Sequence, residues 1–299
     1  MQFTLQTRHK KCEVHVGQLS SLIRLLMPSN RCIFVTDDNV FKIYKDFFID
    51  KETIVVDNGE ANKTLQTVHE VYNQLMKMGA DRKSFLIGMG GGVITDLAGF
   101  VASTFMRGLR FGFISTTLLG QIDAVIGGKN GVNVNQFKNI AGTINQPDFI
   151  INDPSFFKTL PEKEFANGTA ELIKHYLIAD AAGFEWFKGN FHLFTIRDPE
   201  FMANLIYHHN KLKAGIVETD ETELGIRKIL NFGHTIGHAI ERETKLPHGF
   251  AIAQGMVLAA KISRLLGFTD NHTVMEVIAI IERCKLPSYS DLPIESIIS

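Results

Sequence analysis

The sequence predicts an α/β, Rossmann-like nucleotide-binding domain followed by an all-α domain, with a cleft between them. Three observations carry that prediction. Short apolar runs closed by turn residues alternate with helical patterns up to about residue 152. A cluster of three glycines, Gly90-Gly91-Gly92, stands between one such run and a helix. After Pro154 the strand patterns largely stop and helical periodicity takes over. The predicted domains are residues 1–152 and 153–299, and domain interfaces are favoured places for ligands.

Each element has its own signal. Cys32-Ile33-Phe34-Val35 is a short buried strand ending in Asp37-Asp38-Asn39, polar residues placed where strand C-termini of open α/β sheets meet ligands. Glu52 to Val56 is a second strand, and Asp57-Asn58-Gly59-Glu60 is turn chemistry. Leu65, Val68, Val71, Tyr72, Leu75 and Met78 recur at helical spacing, and Gly79 supplies a stop. Ser84 to Gly88 is a third strand, followed by the glycine cluster and a helix through Leu97 to Phe105. That layout lets backbone amides approach a pyrophosphate, although the usual Gly-x-Gly-x-x-Gly spacing is not met and a tight packing turn would look the same. Arg110 to Ser115 is a strand closed by Thr116-Thr117, and Phe149 to Asn152 is the last strand of this half. Between them, Gly127-Gly128-Lys129-Asn130-Gly131 and Lys138-Asn139 read as a polar loop whose lysines suit an anionic, hydroxylated ligand. Pro161 suits the first helical position of a helix from Glu162 to Ile178. Further helices are predicted over Pro199 to Val217, Ile226 to Glu243, Ala251 to Leu266 and Val274 to Arg283, with Gly183, Gly189, Gly225 and Gly267 as punctuation.

Composition narrows the function classes. A formal net charge of −1 gives no basic footprint for nucleic acid and no polybasic membrane patch. Cys12, Cys32 and Cys284 are odd in number and lack a Cys-x-x-Cys spacing, so neither a disulfide framework nor a thiolate zinc site is predicted. The first ten residues have no apolar signal-peptide region and no run is long enough for a membrane span, so a cytoplasmic setting is expected.

The strongest chemical signal is Asn231-Phe232-Gly233-His234-Thr235-Ile236-Gly237-His238, with His248 ten residues beyond. His234 and His238 fall on one helix face, one turn apart, and three imidazoles form a possible metal set. Thr235 replaces the Glu of a His-Glu-x-x-His metalloprotease helix, which argues against peptide hydrolysis. Hydrogen-bonded core histidines on a small-residue helix would give the same spacing. His9, His15, His69, His192, His208, His209 and His272 read as surface or loop residues.

Several separated strings together resemble the 3-dehydroquinate synthase family of sugar-phosphate cyclases, over about Asp37 to Pro287. They are Gly90-Gly91-Gly92-Val93-Ile94-Thr95-Asp96-Leu97-Ala98-Gly99-Phe100, Phe105-Met106-Arg107-Gly108, Gly127-Gly128-Lys129-Asn130-Gly131-Val132-Asn133, Ala170-Glu171-Leu172-Ile173-Lys174-His175 and the histidine string above. The resemblance implies a divalent cation, Zn²⁺ or Co²⁺, on Glu171, His234 and His248, with His238 moved from the metal to the substrate. It implies NAD⁺ on Asp37, Asn58, Glu60, Lys63, Gly91, Gly92, Asp96, Thr116, Thr117, Lys129, Lys138, Phe156 and Thr159. Substrate positions carry over to Asp123, Lys129, Asn139, Lys174, Lys213, Arg227, Asn231 and His238. Arg107 matches an arginine that reaches the neighbouring subunit's substrate phosphate, so a homodimer is implied.

The implied reaction belongs to the shikimate route to aromatic amino acids. It cyclises the sugar phosphate 3-deoxy-D-arabino-heptulosonate 7-phosphate through transient oxidation by NAD⁺, β-elimination of phosphate, reduction and intramolecular aldol closure. Related cyclases of other sugar phosphates, iron-type polyol dehydrogenases and a non-catalytic NAD- and metal-binding chain are the alternatives. Two departures from the family pattern stand out. Phe250 takes the place of a common Glu beside His248, and family members usually continue past the position of Ser299 with an Asp-Lys-Lys segment that this sequence does not contain.

Overall fold

A computed structural model of the chain describes residues 1–8, 10–28, 31–135 and 137–292; His9, expected at the surface, lies outside them. In chain order the elements are β1 (Gln2–Gln6), β2 (Lys11–Val16), α1 (Leu19–Leu26), β3 (Cys32–Asp37), α2 (Asp38–Ile43), α3 (Lys45–Phe48), β4 (Glu52–Val56), α4 (Leu65–Lys77), β5 (Phe85–Gly90), α5 (Gly92–Thr104), β6 (Arg110–Ser115), β7 (Lys129–Val134), β8 (Phe137–Ile144) and β9 (Phe149–Asn152). Then follow α6 (Glu162–Ala179), α7 (Ala181–Gly189), α8 (Phe191–Thr195), α9 (Pro199–Thr219), α10 (His234–Thr244), α11 (His248–Leu265) and α12 (Asn271–Arg283). Two compact units result: Met1–Leu160 with Pro199–Thr222, and Pro161–Asp198 with Glu223–Ser299.

The first unit is a seven-stranded sheet in the order β1-β2-β9-β6-β5-β3-β4. All neighbours are parallel except the β1–β2 hairpin at one edge. Strands buried on both faces carry continuous apolar runs, and β5 and β9 are buried at every position. One face packs Val68, Val71, Leu75, Leu97 and Val101 of α4 and α5; the other packs Leu19 and Ile23 of α1 and the phenylalanines around α3. The Thr64 hydroxyl caps α4 by accepting from the Thr67 amide at 3.2 Å, and Gly79 ends the helix at φ 71°. Because β3, β5 and β6 run in register, Asp37, Gly90 and Ser115 finish at the same sheet edge.

The structure departs from the sequence reading in definite places. Helix α9 groups with the sheet and not with the later helices, because Ala214 and Val217 are sealed into the sheet's core; a single cut at residue 152 does not describe these units. The same docking buries His209, and β2 buries His15, both expected at the surface. The stretch read as a loop around Lys129 and Lys138 is the β7–β8 hairpin. Its strands lack apolar alternation and pair at Gly131 and Gly142, where an added Cβ on Gly142 would lie 2.7 Å from the Asn130 carbonyl. The single helix expected from Ile226 to Glu243 is a 3₁₀ segment, Ile226–Asn231, and then α10, separated by Gly233 at φ 79°. Pro161 is the residue before α6 and not its first helical one.

The second unit is helical. Gly233, Gly237 and Gly255 let α10 and α11 cross closely: a Cβ on Gly255 would lie 2.1 Å from the Gly233 carbonyl oxygen. Among the described residues no helix is long and apolar enough to cross a membrane.

Candidate active site

In the second unit, Glu171 projects from the middle of α6 and is fully buried. His234 opens α10 and His248 opens α11. The close crossing of those helices brings the two rings to 5.4 Å between centroids. Both Nε2 atoms face one carboxylate oxygen, Glu171 Oε1, at 3.5 Å from His234 and 3.3 Å from His248. The second oxygen pairs with the Lys174 ammonium, one helical turn on and equally buried. The other ring nitrogens are anchored as well: His234 Nδ1 lies 3.2 Å from the Phe232 carbonyl and His248 Nδ1 lies 3.3 Å from Glu241 Oε2. Imidazoles held at Nδ1 by a carbonyl or carboxylate, with Nε2 turned inward beside a buried carboxylate, make the donor set of a first-row divalent cation site. One ligand atom from each of Glu171, His234 and His248 falls within a 4.8 Å span.

Charge at the cluster follows from burial and partners. Burial takes the His234 imidazole down to about 4, with Glu171 pulling the other way. Burial also pulls His248 down, but its hydrogen bonds to Glu171 and Glu241 outweigh that and set it at about 9. Exposed His238 stands 5.2 Å from His234 and 5.9 Å from His248 between ring centroids, on the solvent side of the cluster. Glu241 and His238 also form a metal-capable group with His248.

Sequence reasoning missed two residues here. Glu241 lies seven residues after His234 and three after His238, so helical spacing alone would have put it on the same face. Asn167 lies one turn before Glu171, and its side-chain oxygen accepts from the Gly249 amide at 2.7 Å, locking the start of α11 to α6. Arg227 is fully buried in the 3₁₀ segment, and Asn231 donates to Glu223 at 2.9 Å.

The first unit gathers most of the residues matched to NAD⁺ at the C-terminal edge of its sheet. The α5 helix starts at Gly92, directly after β5, so its first backbone amides point where a pyrophosphate would bind. A Cβ on Gly91 would lie 2.9 Å from the Thr117 methyl, so the glycine keeps this cradle open. Thr116 hydrogen-bonds the Gly90 carbonyl from the next strand end at 3.0 Å. Buried Lys63 donates to Asp96 at 2.5 Å and to Asn139 at 2.6 Å. Asn133 donates to Glu60 at 2.8 Å, and Lys138 lies 4.0 Å from the same carboxylate oxygen. The β7–β8 hairpin is therefore stitched to the Asn58–Lys63 turn. Asp37 is committed to capping α2, accepting from the Val40 amide at 2.8 Å, and burial raises its carboxyl pKa. Its neighbour Asp38 holds Asn58 through two bonds of 2.9 and 2.7 Å. Tyr44 fixes the segment bearing the other two matches: its hydroxyl meets Thr159 at 2.5 Å and its ring packs edge-on against Phe156. Lys129 is exposed at the start of β7. Arg107 is exposed in a strained turn, with Met106 and Arg107 both at positive φ. Lys213 on α9 donates to the Asp123 carbonyl and carboxylate, each at 2.7 Å.

Models of the 3-dehydroquinate synthase N-terminal and C-terminal domains match residues 53–167 and 168–299. A 3-dehydroquinate synthase of Pseudoalteromonas atlantica is 42% identical over 280 residues, which is 91% of this chain and 78% of that protein. The chain belongs to the 3-dehydroquinate synthase family. Among solved structures, 2-epi-5-epi-valiolone synthase from Streptomyces hygroscopicus, with NAD⁺ and Zn²⁺ bound, matches 98% of the chain and 86% of its own at TM-score 0.89 and 27% identity. A 2-deoxy-scyllo-inosose synthase complexed with carbaglucose-6-phosphate, NAD⁺ and Co²⁺ matches the whole chain and 85% of its own at TM-score 0.87 and 25% identity. The 3-dehydroquinate synthase fold thus accounts for both the sheet unit and the helical unit described above.

Proposed function

We propose that the chain acts as a 3-dehydroquinate synthase, converting 3-deoxy-D-arabino-heptulosonate 7-phosphate to 3-dehydroquinate with release of phosphate. The observation that carries this reading is the convergence of Glu171, His234 and His248 in a chain so similar to enzymes of that name. Those three residues would hold Zn²⁺ or Co²⁺, the ions of the neighbouring structures, and Glu241 and the Phe232 carbonyl would fix both rings. A cation bound there lowers the pKa of a coordinated hydroxyl and so prepares it for oxidation. NAD⁺ would lie on the α5 N-terminus, against Gly91, Gly92, Thr116 and Thr117, with Asn58, Glu60, Lys63, Asp96, Lys138, Phe156 and Thr159 around it.

Lys129, Lys174, Lys213 and Arg227 supply fixed cations for a carboxylate and a phosphate. Two of them are already oriented, Lys213 by Asp123 and Lys174 by Glu171. His238, Asn231 and Asn139 place hydroxyl groups. The carboxylate of the substrate is the feature that this cation set favours over uncarboxylated sugar phosphates. A homodimer in which Arg107 serves the partner's site, in a cytoplasmic setting, belongs to the same proposal.

Phosphate release from the heptulosonate phosphate, measured with NAD⁺ and with or without chelator, tests the reading. Release that needs NAD⁺ and metal, with no net NADH, is expected. Faster turnover of sedoheptulose 7-phosphate or glucose 6-phosphate would assign a different cyclase, and net NADH from a polyol would assign a dehydrogenase. Mixing Arg107→Ala with Lys174→Ala protein should restore roughly a quarter of activity, because half the dimers then carry one intact site. No restoration would remove the cross-subunit role.

A further inference from the structure

The segment Gly120–Ala124 is a single turn of π-helix, and nothing in the proposed chemistry accounts for it. Such turns are uncommon and cluster at functional sites. Its hydrogen bonding is specific. In an α-helical turn the Val125 amide would bond the Gln121 carbonyl; here it reaches back to the Gly120 carbonyl at 3.3 Å. The released Gln121 carbonyl accepts instead from the Asn210 side-chain amide at 2.6 Å and from that of Asn152 at 3.4 Å. Asn152 also donates to the Asn210 side-chain oxygen at 2.7 Å. The Gln121 side chain donates to the Ser115 and Asp153 carbonyls, each at 2.9 Å. All three amides are fully buried.

One helix face therefore grips the turn twice. Asn210 and Lys213 are three residues apart on α9, on the same side. Asn210 takes the carbonyl that the wide turn liberates, and Lys213 takes the carbonyl and carboxylate of Asp123, two residues on. If the turn closed to α geometry, the Gln121 carbonyl would return to Val125. Asp123 would then rotate by about 100°, the angle of one residue along a helix. Burying an amide donor is unfavourable unless it is bonded, and the π form supplies the free carbonyl that the Asn210 amide takes.

We infer that Asn210, with Asn152 behind it, is a positioning residue that holds the π-turn open and so aims the Asp123–Lys213 pair. This rests on the functional reading only in taking that pair to face the substrate. Asn210→Leu keeps the branching at Cγ and removes the donor. Its kcat should fall about 100-fold, the penalty of an ångström-scale misplacement, while metal content and NAD⁺ affinity stay within about threefold. In an Asp123→Ala background the same change should cost less than about twofold, since a residue acting through Asp123 has nothing left to aim. Losses that multiply would overturn the inference. A crystal structure of Asn210→Leu decides the geometry directly: Val125 bonded to the Gln121 carbonyl is expected, and an unchanged π-turn with Asp123 on Lys213 refutes it. Asn210→Ser, which also lacks the amide donor, takes both measurements should the leucine variant not fold. A wild-type chain that releases no phosphate would sink the functional reading alone, leaving the crystallographic outcome to decide the turn.

Discussion

Glu171→Gln separates the stabilising role of this carboxylate from its ligand role. The wild-type side chain is fully buried and pairs with a Lys174 ammonium that is only 2% exposed. Breaking a buried pair by removing one partner typically costs about 3–5 kcal/mol, because the remaining charge loses its nearest counter-charge. Lys174 has an escape, which is to release its proton. From an ordinary lysine pKa, discharge at pH 7.5 costs about 4 kcal/mol, so the deficit is capped near that value. For a chain of this size that is a fall in Tm on the order of 10 °C.

The sign of the pH dependence follows. Losing the carboxylate lowers the folded-state pKa of Lys174 relative to wild type, so the folded variant gives up that proton at a lower pH than the folded wild type. The deficit is largest at low pH and shrinks as pH rises toward the unfolded pKa, by about 1.4 kcal/mol per unit where the proton has left. Thermal and urea unfolding of metal-stripped wild type and variant at pH 7, 8 and 9 measures it, with metal content determined separately. Adding Lys174→Met should recover most of the stability but none of the metal. A deficit under about 1 kcal/mol, flat with pH, would refute the buried-pair account, and full metal affinity in the variant would refute Glu171 as a ligand.

Three other predictions concern the same cluster. Replacing the cation with Co²⁺ should give the absorption intensity of a four- or five-coordinate O/N site, absent from His248→Ala; an octahedral spectrum unaffected by that change would mean that the ion sits elsewhere. Metal uptake must displace the His248 proton, so affinity should rise with pH and level off above about 9, whereas His234, held near 4, adds no slope at neutral pH; calorimetry in two buffers reads the proton released, and none at pH 7 would contradict the assignment. Gly249→Ala should lower metal affinity at least tenfold, because its Cβ would lie 2.0 Å from the Asn167 carbonyl oxygen and push His248 away from α6; unchanged affinity would show that α11 can shift without moving the ligand.

Much of the site was legible because it is written in local strings. The glycines before α5 and the histidines of α10 carry their chemistry within a turn or two of chain. The strands between Cys32 and Ser115 announce themselves as apolar runs because a parallel sheet buries both faces. The β7–β8 hairpin was not legible: its residues are polar and glycine-rich, and its Asn133 and Asn139 are held by Glu60 and Lys63 from elsewhere in the sequence. The edge hairpin β1–β2 escaped the reading although Leu5, Cys12, Val14 and Val16 do alternate with polar neighbours.

Spacing alone made His238 a metal candidate equal to His234. Resemblance moved it to the substrate; in the fold Glu171 from α6 and His248 from α11 meet His234 on the buried side, while His238 is exposed and groups with Glu241 and His248. The sequence by itself determined the residue types, the strand–glycine–helix layout and the family, since these depend on neighbours along the chain. Only the tertiary structure decided that α9 packs with the sheet, that Glu241 meets His248 and Asn167 ties the start of α11 to α6, and that the π-turn brings Asp123 to Lys213. Those are contacts between residues up to about ninety positions apart, and no local pattern encodes a hydrogen bond whose two ends meet only when separate helices dock.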